Sequence, residues 1–149
     1  ALCLRWLDGL DLGGKTVIDF GCGSGILGIA ALLLGAKKVY AIDNDPQALL
    51  ATRDNAGRNG LDAHRICTLL PEQIPPDLVV DVVIANILAA PLIQLAQQLI
   101  AYLRSGGDIA LSGILALQAA AVRCAYEPAI YWKSQVQEDD WIRLAGHKT

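Results

Sequence analysis

This sequence predicts an α/β domain wound around a mostly parallel sheet, and three observations predict it. Short β-branched runs alternate with longer helical patterns, as βαβ units require. Hydrophobic residues make up 54% of the chain but aromatic residues only 5%, so the interior is built from the Leu, Ile, Val and Ala of a sheet buried on both faces. The first β-branched run also leads through alternating glycines into an apolar helix. The length of 149 residues suits one domain with one core.

Thr16 to Phe20 reads as the first strand, and Ile26 to Leu34 as a helix closed by Gly35. That helix has no polar face, so it is expected to be buried. Val39 to Ile42 is the second strand. Asp45 then caps and Pro46 begins a helix that ends at Gly60, with Ala48, Leu49 and Ala56 on its inner face. Ile66 to Leu69 is a weaker third strand, and the stretch from Pro71 to Pro76 is a loop in place of a crossover helix. Val79 to Ala85 forms a fourth strand, apolar apart from Asp81. A helix from Pro91 to Leu103 is expected to close at Gly106 and Gly107. Ile109 to Ser112 is the fifth strand and Leu115 to Tyr126 a helix. Finally, Ala129 to Val136 and Trp141 to Gly146 flank the acidic turn Gln137 to Asp140 as a β-hairpin, so the parallel sheet ends in a hairpin edge.

Composition narrows the function. With 12 basic against 15 acidic residues, net charge −3, the chain has no diffuse positive field for a nucleic-acid backbone, and direct nucleic-acid binding is not expected. Cys3, Cys22, Cys67 and Cys124 form no CxxC or Cys/His cluster, which argues against a metal site and against a disulfide framework. They read as free thiols of a cytoplasmic protein. The longest apolar stretch, Ile26 to Leu34, falls well short of the roughly 20 residues that span a bilayer, so no membrane partner is expected.

In an open α/β sheet, ligands bind beyond the carboxyl ends of the strands, which directs attention to residues 19–25, 43–45, 86–89 and 112–115. In the first, Gly21, Gly23 and Gly25 let backbone approach a ligand where a Cβ would collide. Gly23-x-Gly25-x-x-Gly28 also satisfies the dinucleotide fingerprint, so a nicotinamide-dependent oxidoreductase is a rival reading. Asp19 discriminates. A carboxylate two residues before the first glycine repels a pyrophosphate on the following helix N-terminus, and it suits a ligand carrying ammonium and sulfonium charges. The plain alternative is that Asp19 hydrogen-bonds loop amides, which is compatible with a ligand role.

Asp43, at the end of the second strand, can take both hydroxyls of a ribose. Asn44 stays open between turn residue and adenosine contact. Asn86, after a strongly apolar strand, is either a capping residue or the group whose carbonyl oxygen accepts N–H bonds from an amine and points its lone pair at an electrophile. His64 and His147 read as surface residues, Glu138 to Asp140 as a solvated turn, and Trp6, Trp132 and Trp141 as packing residues.

With these residues in hand, the chain resembles the class I S-adenosylmethionine-dependent methyltransferases, and more closely the catalytic part of the PrmA family of ribosomal protein methyltransferases. The strings that carry the resemblance are residues 17–27 (VIDFGCGSGIL), 41–48 (AIDNDPQA), 53–60 (RDNAGRNG), 85–89 (ANILA) and 112–115 (SGIL). The resemblance implies a Rossmann-like three-layer αβα sandwich whose seven-stranded sheet ends in an antiparallel strand. It implies S-adenosylmethionine as cofactor and methylation of amino groups, on a lysine side chain or an N-terminus, of a large-subunit ribosomal protein. Gly21 and its loop would hold the methionine part of the cofactor, Asp43 the ribose, and Asn86 the transfer site, with Asp19 matching the family loop's acidic position. Many nitrogen methyltransferases have Asn-Pro-Pro-aromatic after the fourth strand; here Ile87, Leu88 and Ala89 replace it, so no ring stacks a planar base, and an aliphatic amine is the better acceptor. A nucleic-acid methyltransferase remains an alternative, because fold does not fix substrate. Family members also carry an N-terminal domain that grips the ribosomal protein, and a Gly-x-His-x-Thr-Thr linker that would end just before Ala1. The chain is therefore expected to be the catalytic domain alone, whether active or only cofactor-binding.

Overall fold

The computed structural model describes residues 2–149. Seven strands form one sheet: β1 (Thr16–Phe20), β2 (Lys38–Ile42), β3 (Ile66–Leu69), β4 (Val80–Asn86), β5 (Leu103–Leu115), β6 (Ile130–Glu138) and β7 (Trp141–Lys148). Their spatial order is β3-β2-β1-β4-β5-β7-β6. β1 to β5 run parallel, and β7 is antiparallel to both β5 and β6. The αβα sandwich with a C-terminal hairpin edge is thus as the sequence predicts.

Period-two alternation sorts the strand residues into two cores. Val17, Val39, Val82, Ile84 and Ala110 face one layer, made by α1 (Leu2–Asp8), α2 (Ile26–Leu33) and α3 (Pro46–Arg58). Ile18, Phe20, Val83, Ala85, Ile109 and Leu111 face the other, made by α4 (Ala89–Gln94), α5 (Ala96–Tyr102) and α6 (Ala119–Tyr126). Chain order reverses in space between β1 and β4, so the loops leaving these two strands diverge and open a crevice between them.

Local signals explain most boundaries. Asp45 accepts the Gln47 amide at 2.9 Å and Pro46 occupies the first helical position of α3, where a missing N–H costs nothing. Other boundaries correct the sequence reading. The helix expected from Pro91 to Leu103 begins earlier, at Ala89, placing Pro91 in the first turn, and it breaks at Leu95 into α4 and α5. Gly106 and Gly107 do not close it. They lie within β5, which starts at Leu103 and bulges against β4; a Cβ on Gly107 would approach the Asp81 carbonyl oxygen to 2.7 Å, so the residue is glycine for close strand approach. β5 is therefore much longer than Ile109 to Ser112. The helix expected from Leu115 onward opens with a short 3-10 turn at Ala116–Gln118, and α6 proper begins at Ala119. α1 had no sequence signal strong enough to be assigned.

The expectation that the second helix is buried throughout also fails. Gly28, Ile29, Ala31 and Leu32 are buried, but Ile26 is 61% and Leu33 59% exposed. One helix rests on one side of a sheet, so an all-apolar sequence necessarily leaves an apolar outer stripe.

On the opposite layer, the buried Tyr126 hydroxyl donates to the Leu92 carbonyl oxygen at 2.7 Å, tying α6 to α4. Burial pushes this phenol well above its ordinary pKa, so it is a neutral donor. Tyr126→Phe leaves that carbonyl unmatched and is expected to lower unfolding stability by about 1–3 kcal/mol, read from urea denaturation midpoints at unchanged slope.

Candidate functional site

The loop between β1 and α2 is shaped by three left-handed glycines, Gly21, Gly23 and Gly25, at φ +76°, +55° and +86°. Each is there for a different reason. At Gly21 a Cβ would overlap the Ile87 side chain; at Gly25 it would meet Thr52 at 2.7 Å; at Gly23 it would meet nothing within 4 Å, so that backbone faces open space. Gly23 thus leaves its main chain bare, although, like Gly25, it lines neither of the cavities described below.

Behind this loop, Asp19 is 1% exposed and its Oδ2 accepts the Gly28 amide at 3.1 Å, fastening the end of β1 to the first turn of α2. Burial raises its pKa, the Gly28 N–H opposes the rise and the nearby Asp43 carboxylate adds to it, with the result at about 7. The plain alternative weighed from the sequence, a bond to loop amides, is met only in altered form: Asp19 accepts a backbone amide, but that of Gly28 in the helix and not one in the loop. Asp19 lines neither of the cavities described below, so any influence on a ligand acts through the loop by its field.

Asp43 sits on the other side. Its Oδ2 accepts the Gly23 amide and its Oδ1 the Asp45 amide, both at 3.0 Å. A carboxylate can accept about four hydrogen bonds, so capacity remains on the side that lines a cavity of about 450 Å³. Phe20, Gly21, Ile42, Asn44, Ile87 and Pro91 are among the other residues lining it, and among the described residues Asp43 is the only charged one there. Asn44 thus stands at the cavity wall, and Asp45 is the helix cap.

Asn86 ends β4 beside Ser112 of β5 and is exposed. It lines a second cavity of about 300 Å³ with Leu2, Gly113, Glu138, Asp139 and Trp141. Ile87 lines the first cavity and is held between two glycines: its side chain presses on Gly21, and its carbonyl on Gly113 of the second cavity, where a Cβ would overlap it. A Cβ on Gly113 would also lie 3.3 Å from Asn86 Oδ1. The structure therefore brings Gly21 and Asp43 to one cavity and Asn86 to its neighbour.

Two residues that brace the loop escaped sequence reasoning. Thr52 of α3 is fully buried and donates to the Gly23 carbonyl oxygen at 3.0 Å, and Asn55 Nδ2 donates to the Ser24 carbonyl oxygen at 2.9 Å. Their three-residue spacing on one helix face was the available signal. Trp141, read as a packing residue, is 46% exposed at the second cavity, and the acidic turn is part of its wall. His64 is exposed in a 3-10 turn and His147 packs on Tyr131, away from both cavities.

A sheet with this strand order, a glycine loop after β1, a carboxylate after β2 and an amide after β4 defines a domain with the fold of the class I methyltransferases. Solved structures of such enzymes superpose closely. The chain matches "ribosomal protein L11 methylase" from Lactobacillus delbrueckii subsp. bulgaricus with TM-score 0.90 and 34% identity, over 99% of this chain and 77% of that one. It matches TrmN from Thermus thermophilus with TM-score 0.78 and 26% identity, over 99% and 47%. The model of the family "Ribosomal protein L11 methyltransferase (PrmA)" covers residues 1–149. A ribosomal protein L11 methyltransferase from Azotobacter vinelandii is 57% identical over 146 residues, and one from Serratia proteamaculans 55% over 148. The chain belongs to the ribosomal protein L11 methyltransferase family. It spans about half the length of these curated relatives.

The Asp19 environment carries a pH prediction. With its folded pKa near 7 and an unfolded value near 3.8, the native state binds the extra proton, so the contribution of Asp19 to stability is fully present below about pH 4, falls as pH rises toward about 7, and is lost above. Asp19→Asn is expected to abolish that slope, leaving equal urea midpoints at about pH 5 and pH 8, where the parent protein loses a few kcal/mol.

Proposed function

We propose that the protein transfers methyl groups from S-adenosylmethionine to amino groups, on a lysine side chain or an N-terminus, of a large-subunit ribosomal protein. The observation that carries this reading is the sign of the charge around the glycine loop. Asp43 lies beside it, Asp19, about half ionised near pH 7, lies behind it, and among the described residues no basic side chain lines the adjoining cavity. A pyrophosphate would meet repulsion there with no compensating cation; a sulfonium and an ammonium are stabilised. The nicotinamide reading loses on this ground.

The residues present fit the cofactor. The open backbone face of Gly23 accepts a close-lying chain, the spare acceptor capacity of Asp43 suits two ribose hydroxyls, and the apolar slot between Ile42 and Ile87 suits an adenine ring. Gly21 and Gly25 contribute by shaping the loop, and Asp19 by holding it. When bound, S-adenosylmethionine supplies an electrophilic methyl group.

The protein's own part is to orient and desolvate the acceptor. In this reading Asn86 is the catalytic residue: its side-chain carbonyl oxygen accepts N–H bonds from a neutral amine and fixes the direction of the nitrogen lone pair. Such an amine must already have given up its proton, since lysine has a reference pKa of about 10.4. Ile87, Leu88 and Ala89 are all aliphatic, which supports an aliphatic amine as acceptor over a stacked base. The grip on the ribosomal protein is assigned to the part of the relatives lying outside this chain.

Transfer of labelled methyl to isolated large-subunit ribosomal protein and to ribosomal RNA tests the reading, using this chain alone and joined to the remaining half of its relatives. Label in protein amines is the expected result; label in RNA alone would refute it. Asn86→Ala should reduce kcat roughly 10²-fold with a much smaller change in cofactor affinity, whereas Asp43→Ala should weaken cofactor binding about tenfold.

A further inference from the structure

The acidic turn of the β6–β7 hairpin reads from the sequence as a solvated connector. The structure instead folds it over the cavity that contains Asn86, so that Glu138 and Asp139 form one wall and Asn86, Ser112 and Gly113 another. Their charges are not equivalent. Glu138 is paired with Arg5 of α1 at 2.9 Å, whereas Asp139 has no basic partner among the described residues. The turn is also fixed in place. Asp139 has φ +56°, its carbonyl oxygen accepts Gln137 Nε2 at 2.8 Å, and the next carbonyl, of Asp140, accepts the Ala116 amide at 3.1 Å. A residue carrying an unpaired carboxylate, on a hydrogen-bonded turn, therefore lines the same cavity as the proposed transfer site.

The chemistry of the acceptor gives this placement a use. At neutral pH an aliphatic amine is almost entirely in its ammonium form, which cannot react until it is deprotonated but which dominates the population that arrives. Asn86 offers a neutral acceptor to the amine, and a cation gains more from a carboxylate. We propose that Asp139 is a substrate-binding residue that captures the acceptor as its ammonium cation at the cavity wall, ahead of its engagement by Asn86 as a neutral amine. The proton leaves to solvent water between the two positions. This rests on the amine-methylating reading above, and it adds a specificity determinant: a cationic acceptor is favoured over a neutral one of the same size.

The test is a titration of n-butylammonium into the full chain followed by NMR, reading the Trp141 indole N–H and the Asn86 side-chain amide, with n-butanol as the neutral isostere. The cavity is built from protein atoms, so the titration needs no cofactor. Asp139→Asn keeps size and backbone, because Asn tolerates positive φ as well as Asp does. Asp140→Asn removes the same charge one residue away, from a side chain that does not line the cavity. The expected result is saturable shifts with n-butylammonium and none with n-butanol, an apparent Kd raised roughly fivefold by Asp139→Asn, and a change under about twofold for Asp140→Asn. Equal effects of the two substitutions, equal binding of butanol, or no saturable shift in the parent chain would each overturn the assignment. S-adenosylhomocysteine added to the same samples reports on the cofactor reading separately, since its failure to bind would count against that reading and not against Asp139.

Discussion

The structure of the site depends on one buried contact, between the Asp19 carboxylate and the Gly28 amide. It joins the end of β1 to the first turn of α2 and thereby fixes the span in which Gly21, Gly23 and Gly25 must turn. A carboxylate that is 1% exposed is costly in the ionised state, and its pKa near 7 records that cost. Two further clamps share the load: the Gly21 and Cys22 amides both donate to the Ile42 carbonyl oxygen, and Thr52 holds the Gly23 carbonyl from the opposite side. The loop's outer face is therefore left as bare backbone, with the Asp43 carboxylate beside it and a carboxyl group behind it that is about half ionised near pH 7.

Topology does the rest. Because strand order reverses between β1 and β4, the loop after β1 and the loop after β4 leave the sheet side by side and in opposite directions. Ile87, lodged between Gly21 and Gly113, connects a residue lining the cavity that meets Asp43 with one lining the cavity that meets Asn86. That division suits the proposed chemistry, in which one ligand is held for its whole length and the other presents only a nitrogen. It also explains why Gly113 is a glycine: a side chain there would displace the Ile87 carbonyl and crowd Asn86.

Much of this was legible before the structure. The β-branched runs located every strand of the parallel core, and Asp45-Pro46 marked the start of α3 because both residues solve the problem of unpaired amides at a helix N-terminus. The residues read as ligand-facing came from strand ends, and the structure puts Gly21, Asp43 and Asn86 at cavities there. What was not legible depended on contacts distant in sequence. Gly106 and Gly107 look like a helix stop, and only the neighbouring Asp81 carbonyl shows that they permit a strand bulge. Thr52 looks like an ordinary helix residue until it is found beneath the loop, and Trp141 and Asp139 acquire a role only when the hairpin folds across the sheet end. The apolar stripe of Ile26 and Leu33 shows the limit of composition, since an all-apolar helix on a two-sided sandwich has only one side to bury.

The central claim is electrostatic: the Asp43 carboxylate beside the glycine loop, with the half-ionised Asp19 behind it, selects a cationic nucleotide ligand over one bearing phosphates. Isothermal titration of the purified protein with S-adenosylmethionine and with NADH tests it most directly. The account predicts saturable binding of S-adenosylmethionine and none of NADH at matched concentrations. Tight binding of NADH with no heat from S-adenosylmethionine would contradict it.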